Sequence, residues 1–175
     1  AGNTAGTGSA TTPYFRGTQV GSNGFFLQAR MGFPTATTTG ARYFIGFTSG
    51  TMALSVSGDN PAGSGMGWMY STTAGHTGWK FMTDDGTTLS SSTTMLPFGS
   101  TTDIMDFFIY CPPYPNNTII YYRIDNVTQG TTAEGTTSTN LPAGGTQLRA
   151  GFQMSNVSAA AKNIRMSRFY VETDR

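Results

Sequence analysis

Short stretches in which every second residue is apolar are the dominant feature of this sequence. The clearest apolar positions are Phe25, Leu27, Ala29 and Met31, followed by Tyr43, Ile45 and Phe47. A period of two is typical of a β-strand with one buried face. Segment 159–163 alone contains a run of helix-forming residues, and it is too short to hold a helix by itself. The pattern therefore predicts an all-β chain.

About nine strands are predicted along the chain, separated by Gly, Pro, Asn and Asp clusters. They cover residues 25–31, 42–48, 66–72, 78–83, 104–111, 118–125, 131–139, 148–155 and 163–172. Asp85-Gly86 is a hairpin signal because both residues tolerate the positive φ of tight turns. The proline-rich segment 111–117 also ends a strand, since proline cannot donate to a sheet. This spacing indicates a sandwich or a barrel.

The length of 175 residues fits one domain. Residues 1–12 contain only Ala, Gly, Asn, Thr and Ser, so we expect a flexible linker or tail there and one β-sandwich domain over 13–175. The chain has 30 Thr, 15 Ser and 23 Gly, with 13% aromatic and 11% charged residues. So many aromatic residues argue against a disordered chain.

Charge and cysteine content exclude several classes of function. The net charge of +1 offers no basic stripe for nucleic acid. No run of 18 apolar residues is present, so we expect no membrane insertion. Cys111 is the single cysteine, which rules out an internal disulfide and a cysteine-rich zinc site. Because it lies in the apolar run 107–111, we interpret it as a buried small hydrophobe, and we expect no cofactor or metal.

Enzyme signatures are sparse. His76 is the single histidine, and no G-x-S-x-G sequence supplies a nucleophile for it to activate. The nine acidic residues do not form an evident pair of the kind that glycoside hydrolysis needs. Loop calcium remains an alternative, although Asp84-Asp85-Gly86 fits a hairpin turn better than a calcium loop.

Binding chemistry is better represented. Aromatic rings beside polar side chains suit sugar recognition, because the ring stacks on C–H groups while polar groups bind hydroxyls. Tyr121 and Arg123 should point outward from their strand, opposite the core residues Tyr122 and Ile124. Tyr114 lies in a proline-held loop, where burial is least required. The predicted ligand-binding residues are Tyr114, Tyr121, Arg123, Tyr70 and His76.

Several motifs in order extend this interpretation. They are Gly67-Trp68-Met69-Tyr70, Trp79-Lys80-Phe81 leading to Asp85-Gly86, Phe107-Phe108-Ile109-Tyr110-Cys111-Pro112, Tyr122-Arg123-Ile124-Asp125 and Arg165-Met166-Ser167-Arg168-Phe169. Together they resemble the concanavalin-like jelly-roll domains of tailed-bacteriophage tail fibres and receptor-binding proteins. In this resemblance Trp79, Asp85 and Gly86 are fold-making residues and no binding site is defined.

The resemblance implies a two-sheet antiparallel jelly-roll sandwich that is part of a virion fibre. It also implies a homotrimer that attaches to a host surface glycan without cleaving it. Two alternatives stay open: a structural, trimerisation or capsid-decoration module, and a glycan depolymerase with Asp106 or Asp125 as the acid.

Overall fold

The part of the chain that the structure describes contains twelve β-strands. The computed structural model describes residues 3–21, 23–34, 39–51, 60–93, 95–156 and 163–173, and side chains from residue 14 onward. The strands are β1 (Asn3–Tyr14), β2 (Phe25–Gly32), β3 (Ala41–Thr48), β4 (Gly65–Ser71), β5 (Gly78–Asp84), β6 (Leu89–Ser91), β7 (Leu96–Pro97), β8 (Ile104–Cys111), β9 (Ile120–Asn126), β10 (Thr131–Thr137), β11 (Leu148–Asn156) and β12 (Arg165–Thr173). Among these residues no helix is long and apolar enough to cross a membrane.

The strands form two antiparallel sheets. The seven-stranded sheet has the order β1-β11-β3-β4-β5-β6, with β7 paired to β5, and the five-stranded sheet has the order β10-β9-β8-β2-β12. All nine predicted strands are present to within two residues at each end. The prediction of an all-β, two-sheet antiparallel jelly-roll sandwich is confirmed.

The structure differs from the expectation at the start of the chain. Residues 1–12 were expected to form a linker, but Asn3–Tyr14 forms β1, which pairs with β11 in a register interrupted by two shifts. A sheet ladder uses backbone N–H and C=O groups, which a segment of small residues carries as well as any other. The expectation considered only what the side chains could bury.

The core between the sheets is largely aromatic. Trp79 on β5 meets Phe107 on β8 with ring centroids 4.7 Å apart, and Phe81 stacks on Tyr122 at 4.1 Å. The indole Nε1 of Trp68 donates to the carbonyl oxygen of Phe108 at 3.2 Å, so a hydrogen bond also joins the two sheets. Packed rings of this kind add directional contacts to the burial of apolar surface, and they fix which face of each strand points inward.

The outer faces of the two sheets differ. Strands β3 and β4 are buried at every position, and their outward residues Phe44 and Met69 join Met82 in a second apolar cluster. In the five-stranded sheet, β2 and β9 instead alternate between buried and more exposed positions. Among these four strands, an accessible outer face is therefore found only on the five-stranded sheet.

A buried carboxylate joins two turns at one end of the five-stranded sheet. Asp103 is 3% exposed and accepts hydrogen bonds from the backbone N–H and hydroxyl of Ser100, from Asn126 and from Gln129. Burial alone raises the pKa of Asp103, but these donors outweigh it and the pKa is lowered. The ionised form of Asp103 is therefore part of the folded structure.

Replacing Asp103 with Asn should remove part of the acid sensitivity of the fold. Because the pKa of Asp103 is lower in the folded chain, its stabilisation is present at neutral pH and is lost as the pH falls below about 4. We expect Asp103→Asn to cost about 1–3 kcal/mol at pH 7, since an NH2 donor replaces one of the two oxygens that accept these hydrogen bonds. Urea unfolding at neutral and acidic pH measures both quantities, and an unchanged difference between them in the variant would contradict this assignment.

Candidate binding face

Five aromatic side chains lie on the outer side of the five-stranded sheet, and we call this surface the aromatic face. They are Phe26 on β2, Phe108 and Tyr110 on β8, Tyr121 on β9 and Tyr170 on β12. The three tyrosines are 41%, 45% and 47% exposed, and the two phenylalanines are half-buried. Exposed rings gathered on one face differ from scattered surface apolar residues, and such a patch is typical of an interaction site.

An open cleft of about 400 Å³ lies over the β8–β9–β10 part of this face. Tyr110 and Tyr121 form one side of it, with ring centroids 6.0 Å apart and an angle of 38° between the rings. Glu134 and Thr136, on the neighbouring strand β10, also line the cleft. The cleft thus combines apolar ring surface with a carboxylate and a hydroxyl.

Arg123 is fixed beside these rings by Phe108 and Asp125, and Asp125 is itself held by Thr132. Its guanidinium carbon lies 5.8 Å from the Phe108 ring centroid, and its Nε donates to Asp125 Oδ1 at 2.8 Å. Thr132 donates to the same carboxylate oxygen at 2.8 Å. The hydrogen bond to Asp125 raises the pKa of Arg123. The two terminal amino groups of Arg123 make no hydrogen bond to a described residue, so they remain available as donors, and the nearby Glu134 carboxylate interacts with the guanidinium electrostatically.

The structure brings together two of the five predicted ligand-binding residues. Tyr121 and Arg123 both point outward and line the cleft, which confirms the predicted orientation of this strand. Tyr114 is exposed, as expected, but lies in the loop before β9 and does not line the cleft. Its carbonyl oxygen accepts a hydrogen bond from Gly21. Ligand binding by these residues stays a prediction.

Tyr70 and His76 lie elsewhere. Tyr70 is 3% exposed and packs on Phe98 with centroids 4.4 Å apart, so the structure does not support its selection as a surface ring. Its position on β4 faces the other sheet, where the sandwich needs large apolar side chains. His76 is half-buried in the loop after β4, and its Nδ1 accepts from the backbone N–H of Ser71 at 3.3 Å. This contact stabilises the loop.

Sequence reasoning missed Phe108, Tyr110, Phe26 and Tyr170 as a connected surface. The period of two within residues 104–111 contains a signal for two of them, because Phe107, Ile109 and Cys111 face the core. The apolar run was interpreted only as the setting of a buried Cys111. The pairing of β8 with β9 and β2 brings these rings together, and that register is not visible in a single sequence.

The two carboxylates considered for catalysis lie directly opposite each other, since Asp106 on β8 pairs with Asp125 on β9. Each binds its own arginine. Arg30 donates to both oxygens of Asp106 at 2.7 and 2.6 Å, and Arg123 binds Asp125. Both carboxylates are therefore held in ion pairs on the outer side of the sheet.

The alternative of a calcium ion bound in a loop needs a cluster of ligating side chains. In the described ranges no three His, Cys, Asp or Glu residues come together. Asp84-Asp85-Gly86 forms the predicted hairpin turn between β5 and β6, with Gly86 at φ +95°. Asp85 Oδ1 accepts from the backbone N–H groups of Thr87 and Thr88 and from the Thr87 hydroxyl. These hydrogen bonds lower the pKa of Asp85 and account for its conformation.

Comparison with solved structures shows which proteins have a similar fold. No family model and no curated protein matches the sequence. Lectin II from Ulex europaeus matches with a TM-score of 0.63 and 12% identity, covering 100% of this chain and 84% of that one. Lectin UEA-II complexed with galactose matches with a TM-score of 0.62 and 11% identity, covering 95% of this chain and 80% of that one. The fold is similar to that of these lectins. The CBM2 module of the evolved Dit protein of Lactobacillus casei BL23 phage J-1 matches with a TM-score of 0.58 and 13% identity, covering 97% of this chain and 69% of that one.

Cys111 should not react in the folded chain. Its side chain is fully buried, as predicted, and burial raises the pKa of the thiol to about 12. The reactive species of cysteine is the thiolate. We therefore expect no labelling by a disulfide reagent at pH 8 and one labelled thiol per chain in guanidinium chloride. Rapid labelling without denaturant, in a chain that keeps its circular dichroism spectrum, would contradict this assignment.

Proposed function

We propose that this chain is a non-enzymatic glycan-binding domain of a bacteriophage virion fibre, and that its aromatic face attaches to host surface polysaccharide. The arrangement of Tyr110, Tyr121 and Arg123 in one open cleft is the observation that carries the proposal. In this proposal the domain acts outside the cell, as part of the virion, and contacts neither nucleic acid nor a membrane interior.

The chemistry of the cleft suits a sugar. A pyranose has an apolar face of C–H groups that stacks on an aromatic ring, and hydroxyls at its rim that need donors and acceptors. Tyr121 and Tyr110 supply the rings, Arg123 supplies donors, and Glu134 supplies an acceptor. The guanidinium is already ordered by Asp125, so binding costs little further side-chain entropy.

The comparisons support two parts of the proposal, the sugar ligand and the phage setting. One lectin of similar fold is described in complex with galactose, which supports a sugar ligand. A carbohydrate-binding-type module of a phage Dit protein has the same fold, which supports a virion setting. The fold alone does not assign a site. The aromatic face is assigned from the chemistry of its side chains.

Attachment without cleavage is supported by the paired carboxylates. Asp106 and Asp125 are each bound by an arginine in an ion pair, so each already has a structural role in the sheet. A shallow contact without catalysis suits an adhesin that remains bound to an intact polymer. Three copies on one fibre raise the strength of attachment, because the second and third binding events are intramolecular.

Tyr121→Ala should abolish most of the binding. Loss of a stacked ring removes both apolar burial and ring contact. A loss of roughly 1.4 kcal/mol in binding free energy corresponds to a tenfold larger dissociation constant. We expect at least that loss for Tyr121→Ala and a smaller one for Arg123→Ala. The measurement is binding of the purified chain to an array of neutral, acidic and phosphate-containing bacterial polysaccharides, followed by titration of the polymers that bind.

Matched variants separate the site from the rest of the surface. Tyr121→Phe retains the ring and should retain most of the affinity. Arg149→Ala removes an exposed arginine from the other sheet and should leave binding unchanged. A chain that binds no polysaccharide, or whose binding survives Tyr121→Ala, would overturn the proposal.

A homotrimer is the second element of the proposal, and a separate surface favours it. Ile104, Val127 and Met166 are 43–45% exposed, and Val127 and Met166 flank Ile104 at one end of the five-stranded sheet. Contact with sister chains at this end would cover them and leave the aromatic cleft open. We expect light scattering to give three chains per particle, and Ile104→Glu to give single folded chains. A wild-type monomer would contradict the assembly.

A further inference from the structure

The aromatic face continues beyond the cleft in rows that run across the strands. The pairing register places outward residues of neighbouring strands side by side. From β10 to β12, one row is Thr136, Tyr121, Tyr110, Phe26 and Glu172, and the next is Glu134, Arg123, Phe108, Gln28 and Tyr170. Each of the four neighbouring strands β9, β8, β2 and β12 thus contributes at least one ring.

The spacing of these rings follows from the sheet. Neighbouring strands lie about 4.8 Å apart, so β9 and β12 are separated by about 14 Å. The ring centroids of Tyr110 and Tyr121 are 6.0 Å apart, and those of Phe26 and Phe108 are 6.3 Å apart. Consecutive sugars of a linear polysaccharide repeat at a comparable distance. Several sugars in succession can therefore each meet a ring.

Both ends of the first row are open. Thr136 and Glu172, the residues at its two ends, are both exposed. Two polar side chains lie among the rings, Gln28 between Phe108 and Tyr170, and Glu172 beside Phe26. Each is oriented by a hydrogen bond: Arg168 donates to Gln28 at 3.1 Å, and the Tyr170 hydroxyl donates to Glu172. A polymer can cross such a row, whereas recognition of a chain end would need a closed pocket.

The charges on this sheet balance. Its five strands carry the four carboxylates of Asp106, Asp125, Glu134 and Glu172, and the four guanidiniums of Arg30, Arg123, Arg165 and Arg168. Two of the carboxylates are in direct ion pairs. A surface with no net charge does not attract an anionic polymer over distance. Charge complementarity therefore favours an uncharged ligand.

We infer that the aromatic face binds an internal stretch of a neutral, linear polysaccharide that lies across the strands from β9 to β12. This inference rests on the proposed function and specifies the class of its ligand. Tyr121 and Tyr110 in the first row stack on one end of the stretch, which runs obliquely to the second row, where Tyr170 stacks on the sugar furthest from them.

The test is a length series of neutral oligosaccharides. Cello-, malto-, laminari- and manno-oligosaccharides of two to six sugars are titrated against the full chain. For at least one series we expect affinity to rise about tenfold from two sugars to four or five, as a third and a fourth ring become engaged. We expect it to be unchanged between about 0.05 M and about 0.5 M NaCl, since screening acts only on charge.

Two variants locate the ends of the bound stretch. Tyr121→Ala should weaken binding of every length, whereas Tyr170→Ala should weaken only the longer oligosaccharides, by roughly fivefold. Tyr170→Phe retains the ring and should restore the wild-type length dependence. Both tyrosines are exposed, so both variants should fold, which circular dichroism checks.

The outcomes distinguish this inference from the proposed function. Affinity that is independent of length but still lost in Tyr121→Ala would overturn the inference and leave the proposed function in place. Binding only to acidic polymers, or binding lost at high salt, would also overturn it. Failure to bind any polysaccharide on the array would overturn both.

Discussion

The burial of aromatic side chains between the two sheets determines where all the remaining side chains of the five-stranded sheet point. Phe107 and Ile109 on β8 and Tyr122 and Ile124 on β9 occupy the core. Their neighbours in sequence must then face outward, because successive side chains of a strand alternate. A shift by one residue would move Tyr121 and Arg123 into the core. The aromatic face therefore depends on the packing beneath it.

The two sheets use aromatic residues differently, and this difference is the basis for the proposed binding surface. On the seven-stranded sheet the outward ring of Phe44 lies so close to Gly67 that a Cβ there would meet ring atoms at 2.8 Å. Phe44 is fully buried in this position. On the five-stranded sheet, Tyr110 and Tyr121 remain 41% and 45% exposed. A ring that packs against its own sheet is structural, whereas a ring that keeps one face free can bind.

The sequence predicts the strands well because their period is local, and it predicts the surface less well because the surface depends on register. The outward positions of Tyr121 and Arg123 followed from alternation within one strand. Tyr70 was misjudged because a tyrosine on a strand suits either face, and only the packing of Phe98 above it decides. Tyr170 is far from Tyr121 in the chain and joins its surface through two intervening strands. β1 was missed because backbone pairing leaves no side-chain pattern.

The rigidity of the aromatic face links its structure to the way it would act on a virion. Phe108 contacts Phe26 on one side and the Arg123 guanidinium on the other, and Asp125 orients that guanidinium. A ligand thus meets side chains that are already ordered, and the entropic cost of binding falls mainly on the ligand. An open face covers only one side of a sugar, so each contact is weak. Weak contacts at fixed spacing gain most from a repetitive ligand and from several copies of the domain, because both raise the effective concentration of the next contact.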